Sequence, residues 1–233
     1  MGYFYDLWDD FISLLFPRLC YGCGNQLLRN EALICTECYV IIPRTNYHLN
    51  LDNPVAQLFW GRCLLEKAAA FSFYTIGSRI RNLIHNLKYS GIKEIGIELG
   101  RIYSLSLNAT DFFNGMDLII PVPLHPSKKR KRGFNQSDCI SLGISEITGL
   151  PVDTESLRRI TLTSTQTKKT RYERWTNVEG IFRVSDPELL KGKHILLVDD
   201  VITTGSTIES CANEILKIED TKVSVIALAF AVI

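Results

Sequence analysis

The stretch Ile195–Thr207, ILLVDDVITTGST, decides the fold of this 233-residue chain. Four apolar residues suited to a buried strand lead into two adjacent acids, Asp199 and Asp200, and then into residues rich in Ser, Thr and Gly. The following segment is apolar at helical spacing, at Ile208, Cys211, Ala212, Ile215 and Leu216. We therefore expect a strand ending at Val198, a loop over residues 199–207 and an amphipathic helix, which together are the unit of a parallel α/β sheet.

The predicted loop has the composition of a phosphate site. A loop entering a helix presents free N–H groups and the positive end of the helix dipole, and glycine lets the backbone approach an anion. The residues expected to surround the phosphate are Thr203, Thr204, Gly205, Ser206 and Thr207. The alternative is a turn that only caps the helix, but capping needs one such residue and does not explain the two acids.

The acids make the prediction more specific, and they are our candidate catalytic residues. Carboxylates at Asp199 and Asp200 can each accept a hydrogen bond from one of two vicinal hydroxyls. The loop lacks the lysine of a nucleoside triphosphate loop. A ribose 5-phosphate, with its phosphate on one side and its 2′- and 3′-hydroxyls on the other, fits this combination.

Away from this loop, strands and helices alternate. Apolar runs predict strands at residues 68–75, 117–122 and 223–232, and helical periodicity predicts helices over 78–88, 93–107 and 135–148. This order implies a mostly parallel sheet flanked by helices, with ligands at the carboxyl ends of its strands.

Two basic segments are expected near that edge. Five consecutive cations follow the second strand, and they can be a solvated loop or can meet pyrophosphate or a nucleic-acid backbone: Lys128, Lys129, Arg130, Lys131 and Arg132. Residues 155–175 lack steady periodicity and are predicted to form a mobile lid that brings Lys168, Arg171 and Arg174 to the ligand. Phe134, Tyr172 and Trp175 lie among these charges and suit either base stacking or, our preferred interpretation, local packing.

Four of the seven cysteines form two C-x-x-C pairs, Cys20/Cys23 and Cys35/Cys38, eleven residues apart. Four thiolates close a tetrahedral Zn²⁺ site with no open position, so we expect a structural zinc. A zinc ribbon formed in this way can contact nucleic acid, or it can only stabilise a segment that is too short to fold alone. Cys139 and Cys211 are expected in the core, and Cys63 has no assigned role.

Composition argues for an ordinary globular chain. A net charge of +1 gives no overall field that would mark a nucleic-acid or membrane binder. The apolar start, residues 3–19, is interrupted by three aspartates and Pro17, so it predicts an amphipathic helix that docks on its own protein or on a partner rather than a membrane span. Neither the basic leader nor the cleavage site of a secretory signal is recognisable, and we expect a cytoplasmic protein.

The stretch ILLVDDVITTGST resembles the thirteen-residue signature of type I phosphoribosyltransferases at every position. The resemblance implies that Asp199 and Asp200 hold the ribose hydroxyls of phosphoribosyl pyrophosphate and that residues 203–207 hold its 5-phosphate. It also implies Mg²⁺, bound mainly through oxygens of the substrate.

The order of motifs is similar to that of the ComF (competence protein, also GntX-like) family. These motifs are the paired C-x-x-C, LIHNLKYSG, DLIIPVPLHPSKKRKRGFNQ, TQT…RYERWTNVEGIF and the signature. The resemblance implies an N-terminal helix and zinc ribbon over residues 1–45, a connector or hood over 46–67, a phosphoribosyltransferase domain over 68–233, and a link to DNA uptake. Lys169 and Cys63 depart from the pattern expected of the family.

Two functions follow as hypotheses. The first is an enzyme that displaces pyrophosphate at ribose C1. The candidates for contact with the pyrophosphate are Lys128 to Arg132 and the lid cations Lys168, Arg171 and Arg174. The second is a non-catalytic ligand sensor or a cytoplasmic adaptor for single-stranded DNA on the same fold. The acceptor base is not readable from the sequence, because the hood carries no base-recognition motif.

Overall fold

A computed structural model describes residues 16–160 and 181–231 of the chain. Its main sheet has four parallel strands in the order β1 (Ala68–Phe73), β6 (Lys222–Phe230), β5 (His194–Ile202) and β2 (Leu118–Pro121). The helices are α1 (Thr36–Ile41), α2 (Pro54–Gln57), α3 (Arg79–His85), α4 (Lys93–Asn108), α5 (Pro126–Arg132), α6 (Gln136–Thr148) and α7 (Ser206–Ile215). A π-helix over Asn86–Ser90 follows α3 directly, and Tyr47–Leu49 form a 3-10 turn.

The sheet is covered on both faces, which explains the continuous apolar runs of its strands. Leu196 and Val198 of β5 face one hydrophobic cluster, which contains α3, α4 and α6. Ile195 and Leu197 face a second cluster, which contains α2 and α7. The parallel sheet flanked by helices is therefore confirmed.

Helices α4 and α6 cross at a pair of glycines. A Cβ at Gly100 would lie 2.3 Å from the carbonyl oxygen of Ile140, and one at Gly143 would lie 2.0 Å from that of Ile97. No side chain fits at either position, so the two backbones pack directly on each other. This contact fixes α6 against α4.

The structure corrects two local expectations. Strand β5 does not end at Val198 but continues to Ile202, because it stays paired with β6 from Asp199↔Ala227 to Ile202↔Phe230. The five cations do not form a loop, since they lie in helix α5, which has Pro126 in its first turn and Gly133 in the left-handed conformation just beyond its end.

A small antiparallel pair, β3 (Leu157–Arg159) with β4 (Phe182–Val184), brackets residues 161–180. Most of the predicted lid, including Lys168, Arg171 and Arg174, lies outside the described residues, as do Tyr172 and Trp175 and most of the predicted N-terminal helix. Within residues 16–160 and 181–231, no helix has the length and apolar character needed to cross a bilayer.

Candidate ribose-phosphate site and cysteine cluster

The predicted loop lies at the carboxyl edge of the sheet, between the starts of two helices. Helix α7 begins at Ser206, directly after Gly205. Helix α6 begins beside Asp199, and its Ser137 Oγ donates to Asp199 Oδ1 at 3.3 Å. The two acids and the hydroxyl residues are thus brought to one place, at the sheet position where ligands bind in α/β folds.

The hydroxyl side chains do not cap α7. Gly205 occupies the N-cap position, so no side chain there caps the helix. Thr203, Thr204, Ser206 and Thr207 are all exposed, and the hydroxyls of Thr204 and Ser206 lie 3.1 Å apart. No side chain at the N-cap position therefore occupies the first N–H groups of α7, which remain available to an anion.

Gly205 is required by its surroundings. Its φ of +73° is a left-handed conformation that side chains rarely adopt, and a Cβ there would lie 2.8 Å from Phe59 Cε1 and 3.0 Å from Leu58 Cδ2. The connector therefore packs directly on the predicted phosphate loop.

Arg62 of the connector strengthens this packing. Its Nη1 donates to the carbonyl oxygen of Thr204 at 2.9 Å, and its Nη2 pairs with Glu209 of α7. Arg62 and Phe59 were missed by sequence reasoning, because the connector has no periodicity that would indicate which residues point inward. The adjacent Cys63 is half-buried, and burial raises its pKa to about 11, which describes an unreactive thiol.

The two acids have different environments. Burial and the neighbouring Asp200 raise the pKa of Asp199 to about 7, while the backbone N–H of Asp200 donates to Asp199 Oδ1 at 2.8 Å and opposes this rise. Asp200 instead pairs with Lys88, whose Nζ lies 2.8 Å from Asp200 Oδ1. Lys88 was not singled out from the sequence, since a lysine among helical residues has no local signal.

Helix α5 carries its cations on an exposed surface near the site. A cavity of about 470 Å³ separates this helix from β3, and its basic lining residues are Lys129, Arg130, Arg158 and Arg159. Arg132 lies over the ring of Tyr89, which is 69% exposed. Phe134 is 8% exposed and packs in the core, so local packing is confirmed for this aromatic.

The four cysteines come together as predicted. The sulfur atoms of Cys20, Cys23, Cys35 and Cys38 all lie within 4.8 Å of one another, a set that can hold a metal ion. Although burial raises the pKa of Cys20, backbone N–H groups such as that of Cys35, at 3.2 Å, lower it to about 7. The cluster is thus consistent with a small zinc ribbon of thiolate donors. The other two expectations are also confirmed, since Cys139 and Cys211 are buried core residues.

The ribbon is docked on the segment that carries Lys88. Asn82 Nδ2 donates to the carbonyl of Gly22 at 2.8 Å, and Asn86 Nδ2 donates to that of Tyr21 at 3.0 Å. The segment over residues 82–88 therefore contacts both the cysteine ribbon and the acid pair.

A match to a known domain family gives the class of protein. Residues 128–232 match the phosphoribosyl transferase domain family. The solved glutamine phosphoribosylpyrophosphate amidotransferase from Bacillus subtilis aligns with 57% of this chain and 26% of its own, at 19% identity and a TM-score of 0.42.

Two curated relatives define the family. The DNA utilization protein YhgH of Escherichia coli K12 is 31% identical over 205 residues, which is 85% of this chain and 84% of that protein. Competence protein F of Haemophilus influenzae is 27% identical over 221 residues, 91% of this chain and 96% of that protein. The chain belongs to this ComF-like family of type I phosphoribosyltransferase-domain proteins.

Proposed function

We propose that this chain binds phosphoribosyl pyrophosphate, or a related ribose 5-phosphate, at the carboxyl edge of its sheet. The observation that carries this proposal is the start of α7, which has no side-chain cap at Gly205 and has four exposed hydroxyl residues around it, shortly after two carboxylates in the chain. The helix start would hold the 5-phosphate, and Asp199 and Asp200 would accept the ribose hydroxyls. Mg²⁺ would reach the site on the pyrophosphate oxygens and neutralise their charge.

We further propose that the bound ligand reacts by phosphoribosyl transfer. The bond between C1 and the pyrophosphate oxygen would break, pyrophosphate would leave with the electron pair, and a ring nitrogen of an acceptor base would bond to C1 and release its proton to the departing pyrophosphate or to solvent. Positive charge that develops on the ribose ring would be stabilised by the nearby carboxylates. The cations of α5, together with Arg171 and Arg174, are the proposed contacts of the leaving pyrophosphate.

Single-stranded DNA is a second candidate ligand. The basic cavity between α5 and β3 and the exposed Tyr89 beneath Arg132 are features that suit a phosphate backbone and a stacked base. The names of the relatives, a DNA utilization protein and a competence protein, agree with a role in DNA uptake. The two ligands are compatible, because the lining of the basic cavity includes neither of the two acids nor any residue of the loop over 203–207.

One set of titrations tests both ligands. Binding of phosphoribosyl pyrophosphate at fixed Mg²⁺, and of a single-stranded oligonucleotide, is measured by calorimetry for the wild type and for Asp199→Asn/Asp200→Asn. The control Asp220→Asn removes an exposed carboxylate next to the start of β6, at the opposite edge of the sheet. We expect the double variant to lose phosphoribosyl pyrophosphate binding and the control to keep it. If the wild-type protein does not bind phosphoribosyl pyrophosphate, the proposal is wrong.

Catalysis is tested separately from binding. Release of pyrophosphate from phosphoribosyl pyrophosphate is followed in the presence of each of the common purine and pyrimidine bases. Release that depends on one base and disappears in the double variant supports the enzyme. Tight binding without base-dependent release supports the sensor or adaptor instead.

A further inference from the structure

The ion pair between Lys88 and Asp200 joins two elements that are 112 residues apart in the chain. Both side chains are largely buried, with exposures of 22% for Lys88 and 13% for Asp200. Two adjacent carboxylates repel each other, so a nearby ammonium stabilises the ligand-free site. A partly buried pair is, however, weak evidence for a purely stabilising role, because desolvation of the charges offsets much of their attraction.

The backbone that carries Lys88 is unusual. Residues 86–90 form a single wide π turn, a conformation found frequently at functional sites. The two residues before Lys88 in the turn make other contacts: Asn86 Nδ2 donates to the carbonyl of Tyr21, and Leu87 is fully buried in the core. The turn ends at Gly91, whose φ of +74° reverses the chain. The contacts of the two preceding residues and the turn at Gly91 therefore fix the position of Lys88 beside the acid pair.

The ammonium lies on one of the two carboxylates proposed to hold the ribose. Lys88 Nζ contacts Oδ1 of Asp200, so a bound ribose has to displace it, share that oxygen or use the other oxygen of Asp200. An ammonium carries three donors and can turn to a new acceptor on its flexible stem. The nearest new acceptors, once a ribose lies on the two acids, are the oxygens of an anionic group on C1.

We propose that Lys88 is a ligand-binding residue that exchanges Asp200 for the pyrophosphate when phosphoribosyl pyrophosphate binds. This inference rests on the proposed function, since it assigns a further residue to the same site. The exchange makes Lys88 favour ligands with an anion on C1 over ligands without one. While the site is empty, the ion pair of Lys88 with Asp200 reduces the negative charge of the acid pair.

If Lys88 makes this exchange, its removal should change the affinities for ribose 5-phosphate and for phosphoribosyl pyrophosphate differently. Ribose 5-phosphate has no anion on C1 and only competes with Lys88 for Asp200, so Lys88→Met should leave its affinity unchanged or raise it. Phosphoribosyl pyrophosphate loses a charged hydrogen bond, so its affinity should fall by about ten- to a hundredfold. Lys88→Arg, which keeps the charge on a stem with different donor geometry, should give a smaller loss.

The test is calorimetric titration of both ligands at fixed Mg²⁺ into the full chain. Lys191→Met is the matched control, because it breaks another lysine–carboxylate pair, with Glu219, remote from the site. Unfolding midpoints establish that each variant is folded, and Lys88→Arg carries the test if Lys88→Met does not fold.

The possible outcomes separate the two proposals. Loss of phosphoribosyl pyrophosphate binding with ribose 5-phosphate binding intact supports the exchange. Equal weakening of both ligands, or an unchanged affinity for phosphoribosyl pyrophosphate, overturns it while leaving the proposed function standing. A wild type that binds neither ligand overturns the proposed function and this inference with it.

Discussion

The substitution Gly205→Ala tests whether the connector and the phosphate loop are packed as described. Gly205 is buried at the start of α7, with a φ of +73°. An alanine there meets two separate penalties: an unfavourable backbone conformation, and contacts of 2.8 Å and 3.0 Å between the new Cβ and the ring of Phe59.

The expected cost can be worked out from these two effects. A left-handed conformation costs an L-residue about 1–2 kcal/mol. Forcing a methyl group into a well-packed site costs about 1–3 kcal/mol more. We therefore expect Gly205→Ala to lower the free energy of unfolding by about 2–5 kcal/mol. Because any relief must come from movement of the loop, phosphoribosyl pyrophosphate affinity should fall as well.

Gly77→Ala is the control that isolates the steric part. Gly77 has a φ of +78°, and a Cβ there would have nothing within 4 Å. It should therefore cost only the backbone penalty of about 1–2 kcal/mol. Both variants are unfolded in urea with excess Zn²⁺, and the two losses in unfolding free energy are compared.

The packing explanation would be refuted if Gly205→Ala cost no more than Gly77→Ala. A second comparison adds Phe59→Leu to the wild type and to the Gly205→Ala variant, since the smaller side chain should relieve part of the clash. Phe59→Leu should thus be less harmful in the Gly205→Ala background than in the wild type. Strictly additive effects would indicate that the ring and the loop are not in contact.

The charges and the cysteines supply three further predictions. Asp199 binds its proton more tightly in the native state, where its pKa is about 7, than in the unfolded state. This proton therefore stabilises the native state fully below about pH 4, and the stabilisation is lost as the pH rises through about 7. Asp199→Asn should therefore reduce the decline with pH of the free energy of unfolding, measured in urea. An unchanged decline would contradict the raised pKa of Asp199. Cys38→Ser should abolish bound zinc in metal analysis while Cys139→Ser retains about one equivalent, and equal metal contents would rule out the four-thiolate site. Lys129→Gln/Arg130→Gln should reduce the slope of log affinity for single-stranded DNA against log salt by about 0.7 per lost phosphate contact, and identical slopes would exclude α5 from the interface.

Local patterns were enough to predict most of the fold. The strand at 195–198, the amphipathic helix after it and the helices over 93–107 and 135–148 follow from periodicity, because each element buries a face that its own sequence specifies. The spacing of the two C-x-x-C pairs likewise predicted their convergence, since each pair forms a knuckle by itself. The helix over Lys128–Arg132 could also have been predicted, because Pro126 marks its start and Gly133 its end. Five consecutive charges indicated a solvated loop instead.

The details of the site depend on contacts between residues far apart in the chain. Asp199 and Asp200 remain within β5 because β6 continues beside them, which a single strand cannot reveal. Lys88 reaches Asp200 and Arg62 reaches Thr204 only after the sheet has assembled and the connector has folded over it. The sequence alone determined most of the secondary structure, the four cysteines that can hold a metal ion and the strand–acid–hydroxyl motif, since each is encoded within a short segment. Only the tertiary structure decided which cations meet the motif, because charge pairing depends on distances in space rather than on separation along the chain.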